Sequence, residues 1–381
     1  MSAAPASASP TEVAAHRTLL RDRFAYTAHP HAVVTARGTW LCVVNQAPRR
    51  PFVLHPPQDP LFRNLLLRSE DEGRTWSAPV AVPGYDWSGV ECAGLTALSD
   101  GAVLLNQWRF DWWPLPAALV RSDRAALTFP EDLARDLAIS PDLATLARLQ
   151  RAPRDRLPWA RGGGRAVLHH SADDGLTFAD TLELDTAPFV GGYGMRGAVE
   201  LADGTLVLPL GDIPAYRRVF VLRSADGGRS WGTPVPVADD PARRFEEPCP
   251  LPLADGTILL LLRENTSRRL WRTRSHDAGL TWEPPADTGI AGYPAHLLVL
   301  PDGRVLCTYG DRAPPYAIRT ALSADGGASW QPGPDVRTGL PDRDLGYPVT
   351  LSRRDGTLVT LYYTRDRRRV TGLEQTSWRL D

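Results

Sequence analysis

A nine-residue pattern recurs five times along the chain, with serine, aspartate and glycine spaced ahead of an aromatic residue. The copies read "RSEDEGRTW" (68–76), "HSADDGLTF" (170–178), "RSADGGRSW" (223–231), "RSHDAGLTW" (274–282) and "LSADGGASW" (322–330). Serine and aspartate side chains can hydrogen-bond the backbone of a turn, and glycine supplies a positive φ. We therefore interpret these five segments, called the Asp repeats below, as structural turns, because five catalytic aspartates would require five duplicate sites.

A second unit accompanies the Asp repeats, in which two apolar runs are joined at Asp-Gly. Examples are "AVELADGTLVLPL", "PLPLADGTILLLL" and "HLLVLPDGRVLCTY". Asp-Gly favours tight hairpin turns, so each unit predicts two antiparallel strands, followed by a third strand, an Asp repeat and a fourth. Counting Arg37-Gly38 as the counterpart of Asp-Gly in the first unit, the sequence contains six units at intervals of about 50 residues, as in propeller blades, and the sixth lacks an Asp repeat. We therefore predict an all-β fold, a six-bladed β-propeller of four-stranded antiparallel blades.

Domain boundaries follow from the same pattern. Residues 1–16 are small and polar and are expected to be disordered, while 17–381 form the propeller. A strand around "RDRFAYT" (21–27) is expected to close the ring by pairing with the last blade. The second unit contains an insertion at about 112–164, whose segment "PEDLARDLAISPDLATLARLQRA" has helical spacing. That insertion is either a flap that covers one face of the ring or a solvent-exposed addition to the blade.

Composition excludes several function classes. The 381 residues include 43 basic and 44 acidic residues, so the net charge of −1 disfavours a nucleic-acid partner. An apolar run long enough to cross a membrane is absent from the sequence, and the N-terminus lacks the apolar core of a signal peptide, which favours a cytoplasmic location. The four cysteines are far apart and lack metal-ligand spacing. We expect neither a metal nor another cofactor, and the oligomeric state stays open.

Chain direction within a blade predicts where chemistry can occur. The start of each first strand and the end of each second strand lie on one rim, whereas the Asp-Gly turns and Asp repeats lie on the opposite face. Arginines, glutamates, histidines and a tyrosine at one rim favour a pocket for an anionic, polar ligand. The candidate residues at this rim are His31, Glu91, Arg109, Arg196, Glu247, Arg263, His296, Arg312 and Tyr347.

The repeats and three longer segments resemble the sialidase (neuraminidase) superfamily over roughly residues 30–365. "FEEPCPLPLADGTILLLLR" is similar to the sialidase segment in which a glutamate precedes a strand pair ending in arginine, which implies those roles for Glu247 and Arg263. "IRTALSADGG" resembles the segment with the next arginine, Arg319, and "DLGYPVTLSRRDGTLVTLYY" the segment with a nucleophilic tyrosine, Tyr347. The resemblance also implies an acid in the loop after the first hairpin, which points to Asp59.

This resemblance implies a glycoside hydrolase of carbohydrate metabolism. A neutral phenol can attack an anionic sugar once a carboxylate takes its proton, and two arginines can hold the sugar carboxylate. The sequence departs from the family where "TAHPHAVV" has Ala28 in place of the first arginine of a triad. We therefore expect an acidic or otherwise polar glycan rather than sialic acid, and Arg312 competes with Arg319 for the role of third arginine.

Two other functions stay open on the sequence. Three histidines beside the arginines, His29, His31 and His296, also fit a lyase of uronate glycans or a histidine-assisted glycosidase that uses the same funnel. The missing arginine is compatible with a propeller that binds glycans without turnover.

Overall fold

Apolar runs joined by Asp-Gly turns form four-stranded antiparallel sheets, and six of these sheets are arranged as the blades of a propeller. The structure, a computed structural model, describes residues 13–49, 59–83, 89–129, 158–212 and 216–380. The strands are β1 (Val13–Arg21), β2 (Ala25–Val34), β3 (Trp40–Pro48), β4 (Arg63–Ser69), β5 (Val80–Ala81), β6 (Glu91–Ala97), β7 (Val103–Pro114), β8 (Trp159–Ser171), β9 (Ala179–Glu183), β10 (Val199–Glu200), β11 (Leu206–Gly211), β12 (Arg218–Ser224), β13 (Val235–Asp239), β14 (Phe245–Pro252), β15 (Ile258–Glu264), β16 (Arg269–Ser275), β17 (Ala286–Ala291), β18 (Ala295–Val299), β19 (Val305–Asp311), β20 (Ala317–Ser323), β21 (Gln331–Pro332), β22 (Gly346–Ser352), β23 (Leu358–Arg365) and β24 (Thr371–Trp378).

Strand order confirms the predicted six-bladed, four-stranded propeller. Blades one to five run β2–β5, β6–β9, β10–β13, β14–β17 and β18–β21, and each is a consecutive meander. The sixth blade contains β22, β23 and β24 and takes β1 as its outer strand. The first and last parts of the chain therefore share one sheet, which closes the ring.

The closing strand lies earlier in the sequence than we expected. Val13 pairs with Trp378 and Arg21 with Gly372, whereas most of "RDRFAYT" forms the turn into β2 and the start of that strand. Residues 13–16, placed by the sequence in a disordered segment, are part of β1. The physical reason is that the open edge of β24 provides backbone partners for this strand, and its Leu19 and Leu20 pack against the cluster between the first and sixth blades. Residues 1–12 lie outside the described residues.

Successive blades are held together by apolar side chains between their sheets. Leu41 and Val43 of the first blade, for example, pack against Leu95 and Leu105 of the second. Comparable buried clusters join the other neighbouring blades around the ring. Burial of one such leucine or valine side chain contributes about 1.5–3 kcal/mol. The continuous apolar strands of the sequence are thus explained by sheets covered on both faces.

The Asp repeats are tight turns that brace neighbouring blades. In the third copy, Ser224 Oγ accepts the N–H of Gly228 at 2.9 Å and donates to Asp226 Oδ1 at 2.8 Å. Hydrogen bonds from the hydroxyl and the N–H of Ser230 lower the pKa of Asp226 to about 2. Gly228 has φ +84°, and a Cβ there would lie 2.9 Å from Leu104 of the preceding blade, so glycine is required.

The insertion in the second blade begins as an extension of the sheet. Pairing of β7 with β8 continues to Pro114 and Trp159, so the sheet extends beyond both expected ends of the insertion, 112 and 164. A five-residue helix α1 (Leu115–Leu119) and a 3-10 turn (Arg124–Ala126) follow β7. The segment with predicted helical spacing, 130–152, lies outside the described residues. Among the helices of the described chain, none has the length and apolar character needed to cross a membrane.

Candidate active site

Three inner strands carry the same local feature near one rim of the ring. The ladders of β2, β14 and β22 each contain a bulge in which one residue has a positive φ and precedes a proline. These residues are His29 (φ 56°), Glu247 (φ 50°) and Tyr347 (φ 51°). Left-handed backbone costs a non-glycine residue about 1–3 kcal/mol and is concentrated at functional sites. The bulges bring the three side chains together, since the rings of His29 and Tyr347 lie 4.3 Å apart and Tyr347 contacts Glu247.

Tyr347, Glu247 and Arg263 form a buried hydrogen-bonded group. Tyr347 Oη donates to Oε1 of Glu247 at 2.6 Å, and Arg263 Nη1 donates to the same oxygen at 2.9 Å. Each of the three residues is at most 5% exposed. The other carboxylate oxygen, Oε2, is buried and makes no hydrogen bond to the described residues. One oxygen of Glu247 is thus fixed, and the other is available to a ligand or a proton.

A second glutamate holds Arg263 from the opposite side. Arg263 Nε lies 3.2 Å from Glu246 Oε1 and donates to Asn265 Oδ1 at 2.8 Å, while Tyr193 Oη donates to Glu246 Oε2 at 2.9 Å. Burial alone would lower the pKa of Arg263, but the two glutamates raise it well above its ordinary value. Burial raises the pKa of Glu246, and the charge of Arg263 partly offsets that rise. The guanidinium therefore stays charged and is fixed in position.

Arg312 is the second arginine at this site. Its guanidinium carbon lies 5.6 Å from the ring centroids of both Tyr347 and Tyr293, and Arg263 lies 4.1 Å from Tyr293. Nε of Arg312 donates to the carbonyl of Leu345 at 3.1 Å, and its two Nη groups make no hydrogen bond to described residues. Arg312 therefore offers a forked pair of donors to an anionic ligand.

Arg319, the arginine implied by the family resemblance, lies elsewhere. It lies on β20, where Nε donates to Asp311 at 2.7 Å and Nη1 contacts both oxygens of Asp335 at 2.9 Å. The guanidinium of Arg319 is therefore already paired with two carboxylates. The expectation that Arg319 joins Glu247 and Tyr347 is not met, because the outer part of the blade supplies its partners.

Three predicted ligand-binding residues lie deeper, around a cavity on the ring axis that we call the axial cavity. His31, Arg196 and His296 line it, and its volume is about 290 Å³. Cys249 and Thr350, which follow Glu247 and Tyr347 by two and three residues, line it as well. At about 3.3 Å per residue, these positions are about 7–10 Å below the bulges. The three residues thus belong to a layer beneath the Tyr347 group.

The remaining predicted residues occupy separate positions. Asp59 is buried, and its Oδ1 accepts the N–H of Leu61 at 3.0 Å, in the loop that leads into β4. Arg109 lies on β7, where strand alternation places its side chain on the other face of the sheet from Trp108. Its charge acts on His169, whose pKa is lowered to about 4 mainly by burial. Glu91 begins β6, and its side chain lies outside the described part of the structure.

The sequence analysis named His29 among the histidines at this rim but did not assign it to the group around Tyr347. The signal that could have identified it is the residue-proline pair at the start of an inner strand, since His29-Pro30 matches Glu247-Pro248 and Tyr347-Pro348. A proline disfavours helical backbone in the preceding residue, but it does not reveal a bulge. Ala28, the position of the missing arginine, is fully buried in the aromatic cluster that contains Tyr347.

This geometry is suited to activating a phenol. A tyrosine hydroxyl in short contact with a carboxylate can transfer its proton as it attacks, and a fixed guanidinium stabilises the charge in either state. Burial strengthens both effects because the local dielectric constant is lower than that of water.

Comparisons with known proteins agree with the fold. A family described as BNR repeat-like domain matches residues 157–360. A protein of unknown function from Dyadobacter fermentans has a TM-score of 0.79 at 21% identity, covering 97% of this chain and 99% of its own. An intramolecular trans-sialidase from Ruminococcus gnavus has a TM-score of 0.65 at 14% identity, and the match covers 93% of this chain and 95% of that protein. An alpha-L-arabinanase from Penicillium chrysogenum has a TM-score of 0.62 at 14% identity, and the match covers 97% of this chain and 98% of that protein. Curated proteins provide no match. At these identities the structural likeness shows a shared fold.

Proposed function

Because the chain belongs to the BNR repeat-like domain family, we propose that it is a glycoside hydrolase in which Tyr347 is the nucleophile and Glu247 is its base. The observation that carries this proposal is the 2.6 Å hydrogen bond from Tyr347 Oη to Glu247 Oε1, with Arg263 on the same oxygen. The relatives named as sialidases and arabinanase support glycosidic chemistry on this fold.

The first step would form a covalent sugar-tyrosine bond. Tyr347 Oη attacks the anomeric carbon and its proton moves to Glu247, while the bond from that carbon to the leaving oxygen breaks. The leaving oxygen takes a proton from an acid, for which Asp59 is our candidate, because it is buried in the loop that follows the first hairpin. Water then attacks the anomeric carbon and gives a proton to the former acid, while the bond from that carbon to Tyr347 Oη breaks and Glu247 returns the first proton to Oη.

We expect the substrate to be an acidic or otherwise polar glycan. The unpaired Nη groups of Arg312 fit a carboxylate, and Oε2 of Glu247 can accept a hydrogen bond from a sugar hydroxyl. Ala28 leaves the position of a third arginine apolar, so the binding charge is smaller than in an arginine triad. This difference supports our expectation that the ligand is not sialic acid.

Trapping the covalent intermediate tests the proposal. Aryl glycosides of a uronic acid, a sialic acid and neutral sugars are incubated with the enzyme and quenched in acid, and the peptide that contains Tyr347 is analysed by mass spectrometry. We expect one substrate to leave a single glycosyl unit on Tyr347. Turnover with an adduct on another residue, or with none under single-turnover conditions, would overturn the assignment. On uronate polymers, an unsaturated product that absorbs in the ultraviolet indicates a lyase, and an intact bound glycan indicates binding alone.

A further inference from the structure

Two histidines of the axial cavity are held in the same tautomer. The N–H of Leu95 donates to Nδ1 of His31 at 2.9 Å, and the N–H of Thr350 donates to Nδ1 of His296 at 3.3 Å. A ring nitrogen that accepts a hydrogen bond carries no hydrogen, so Nε2 of each neutral ring is protonated and is a donor. Within the described chain neither Nε2 has a hydrogen-bond partner. The two histidines thus bring unused donors to one cavity.

Arg196, on the same cavity, is a buried charge that makes no ion pair with a carboxylate of the described residues, although the charge of Glu247 in the layer above acts on it. It is 4% exposed, and its Nε and Nη2 donate only to the carbonyl oxygens of Ala295 and Pro348. Its Nη1 has no hydrogen-bond partner among the described residues, and the neighbouring thiol of Cys249 is a weak acceptor. A buried charge is costly unless an opposite charge accompanies it. The surroundings of Arg196 therefore favour a negative ligand.

The other polar groups of the cavity are already engaged. The carboxylate of Glu200 accepts the N–H and the hydroxyl of Ser99 at 2.7 and 2.8 Å. The hydroxyl of Thr350 pairs with those of Thr308 and Thr360. Glu200 follows Arg196 by four residues, which at about 3.3 Å per residue places it about 13 Å along the axis. The end of the cavity near Arg196 thus combines positive charge with unused donors, and its remaining wall is largely apolar.

We propose that the axial cavity binds a small monovalent anion, a halide or a short carboxylate, to which His31 and His296 donate hydrogen bonds while Arg196 supplies the charge. The volume of about 290 Å³ accommodates such an anion with several waters, at about 30 Å³ each. A cation does not fit, because Nε2–H groups and a guanidinium are donors. This inference does not depend on the proposed hydrolase activity.

Bromide is the probe for the position of the anion. Crystals of the full chain are soaked in sodium bromide or in sodium gluconate, and anomalous diffraction is recorded at the bromine edge. We expect a bromide peak within hydrogen-bonding distance of Nε2 of His31 and His296, and no peak with gluconate. An axial cavity that holds only water in bromide, together with no stabilisation by acetate, would overturn the proposal.

Thermal unfolding measures the affinity and separates the two sources of the anion. At equal ionic strength in sodium gluconate, chloride or acetate at about ten times its Kd is expected to raise Tm by about 2 °C. Stabilisation by acetate without a bromide peak identifies a carboxylate site. The effect should disappear in Arg196→Met and in His31→Phe and persist in the control Arg223→Met, on an outer strand. If Arg196→Met does not fold, the anion-induced rise in Tm is compared between wild type and His296→Gln instead. A full rise in Tm in both His31→Phe and His296→Gln contradicts the proposal.

Discussion

The hydroxyl of Tyr347 and the carboxylate of Glu247, 100 residues apart in sequence, lie 2.6 Å from each other in a buried pocket. Both residues occupy left-handed bulges followed by proline, on inner strands of the sixth and fourth blades. Arg263 fixes the shared carboxylate oxygen, so the pair is oriented before a ligand arrives. A hydroxyl and a carboxylate held in this way need little rearrangement for proton transfer.

Removing either partner should abolish turnover while sparing the fold. We expect Tyr347→Phe and Glu247→Gln each to lower kcat by about 10²–10⁴-fold, because proton transfer to a positioned base contributes that much. The measurements are kcat on the best aryl glycoside and Kd for an inert analogue, which should change little. Tyr362→Phe is the matched control, since its hydroxyl contacts Thr376 of the same blade at 3.0 Å and its ring lies in the apolar cluster between the fifth and sixth blades. Equal losses in control and variant would mean that the effect is structural.

Loss of the Arg263 guanidinium should destabilise the fold strongly. Arg263→Met leaves Glu246 and Glu247 buried without their common cation, which costs about 3–5 kcal/mol in the free energy of unfolding. Urea unfolding at pH 7 measures this, and Glu246→Gln in the same chain should recover part of the loss.

The loss of folding stability in Arg263→Met should also depend on pH in a defined direction. Burial raises the pKa of Glu246, and loss of the Arg263 charge removes what partly offsets that rise, so the folded state of the variant binds more protons than the unfolded chain as the pH falls. The stability difference from wild type should therefore shrink between pH 7 and pH 5. A deficit that is constant over this range would show that lost packing, rather than unpaired charge, is responsible.

Arg312 and Arg319 should differ in their effect on substrate. Arg312→Gln removes donors that the described protein leaves unused, so kcat/KM for an acidic glycoside should fall by about 10–100-fold, the equivalent of one charge-assisted hydrogen bond. Arg319→Gln removes a side chain already paired with Asp311 and Asp335, so we expect a small change in kcat/KM. The measurement is kcat/KM of both variants on an acidic and on a neutral glycoside. A larger loss in Arg319→Gln than in Arg312→Gln would mean that Arg319 is the arginine that binds substrate.

The Asp repeats should make the fold sensitive to acid. The pKa of Asp226 is lowered to about 2 from an ordinary value of 3.8, so its contribution is present above pH 3.8 and is lost as the pH falls toward 2. Because the carboxylate is largely exposed, we expect Asp226→Asn to cost about 1 kcal/mol or less at pH 7.

A matched variant isolates the role of the Asp repeat from that of an ordinary turn aspartate. Asp100 accepts a single backbone N–H, from Ala102, in an exposed hairpin turn. In urea unfolding at pH 7 and pH 3, Asp226→Asn should approach wild type at the lower pH, whereas Asp100→Asn should show little difference at either. A loss for Asp226→Asn that is undiminished at pH 3 would contradict the charge-based explanation.

Local patterns determined the architecture of this protein. Each Asp-Gly turn, apolar run and Asp repeat depends on a short local segment, so the sequence alone shows which structure it forms. The number of these units predicted six blades. The closing strand was misplaced because its partner, the free edge of β24, lies at the other end of the chain and is adjacent to β1 only in the folded ring.

The tertiary structure decided which residues meet. Sequence reasoning named Tyr347, Glu247 and Arg263 but could not choose between Arg312 and Arg319, because the choice depends on where Asp311 and Asp335 lie. It also grouped His31 and Arg196 with the rim, although a few residues of strand rise place them in the axial cavity. Hydrogen-bonded turns are encoded locally, whereas the distance between side chains from different blades is set by how six sheets close around one axis.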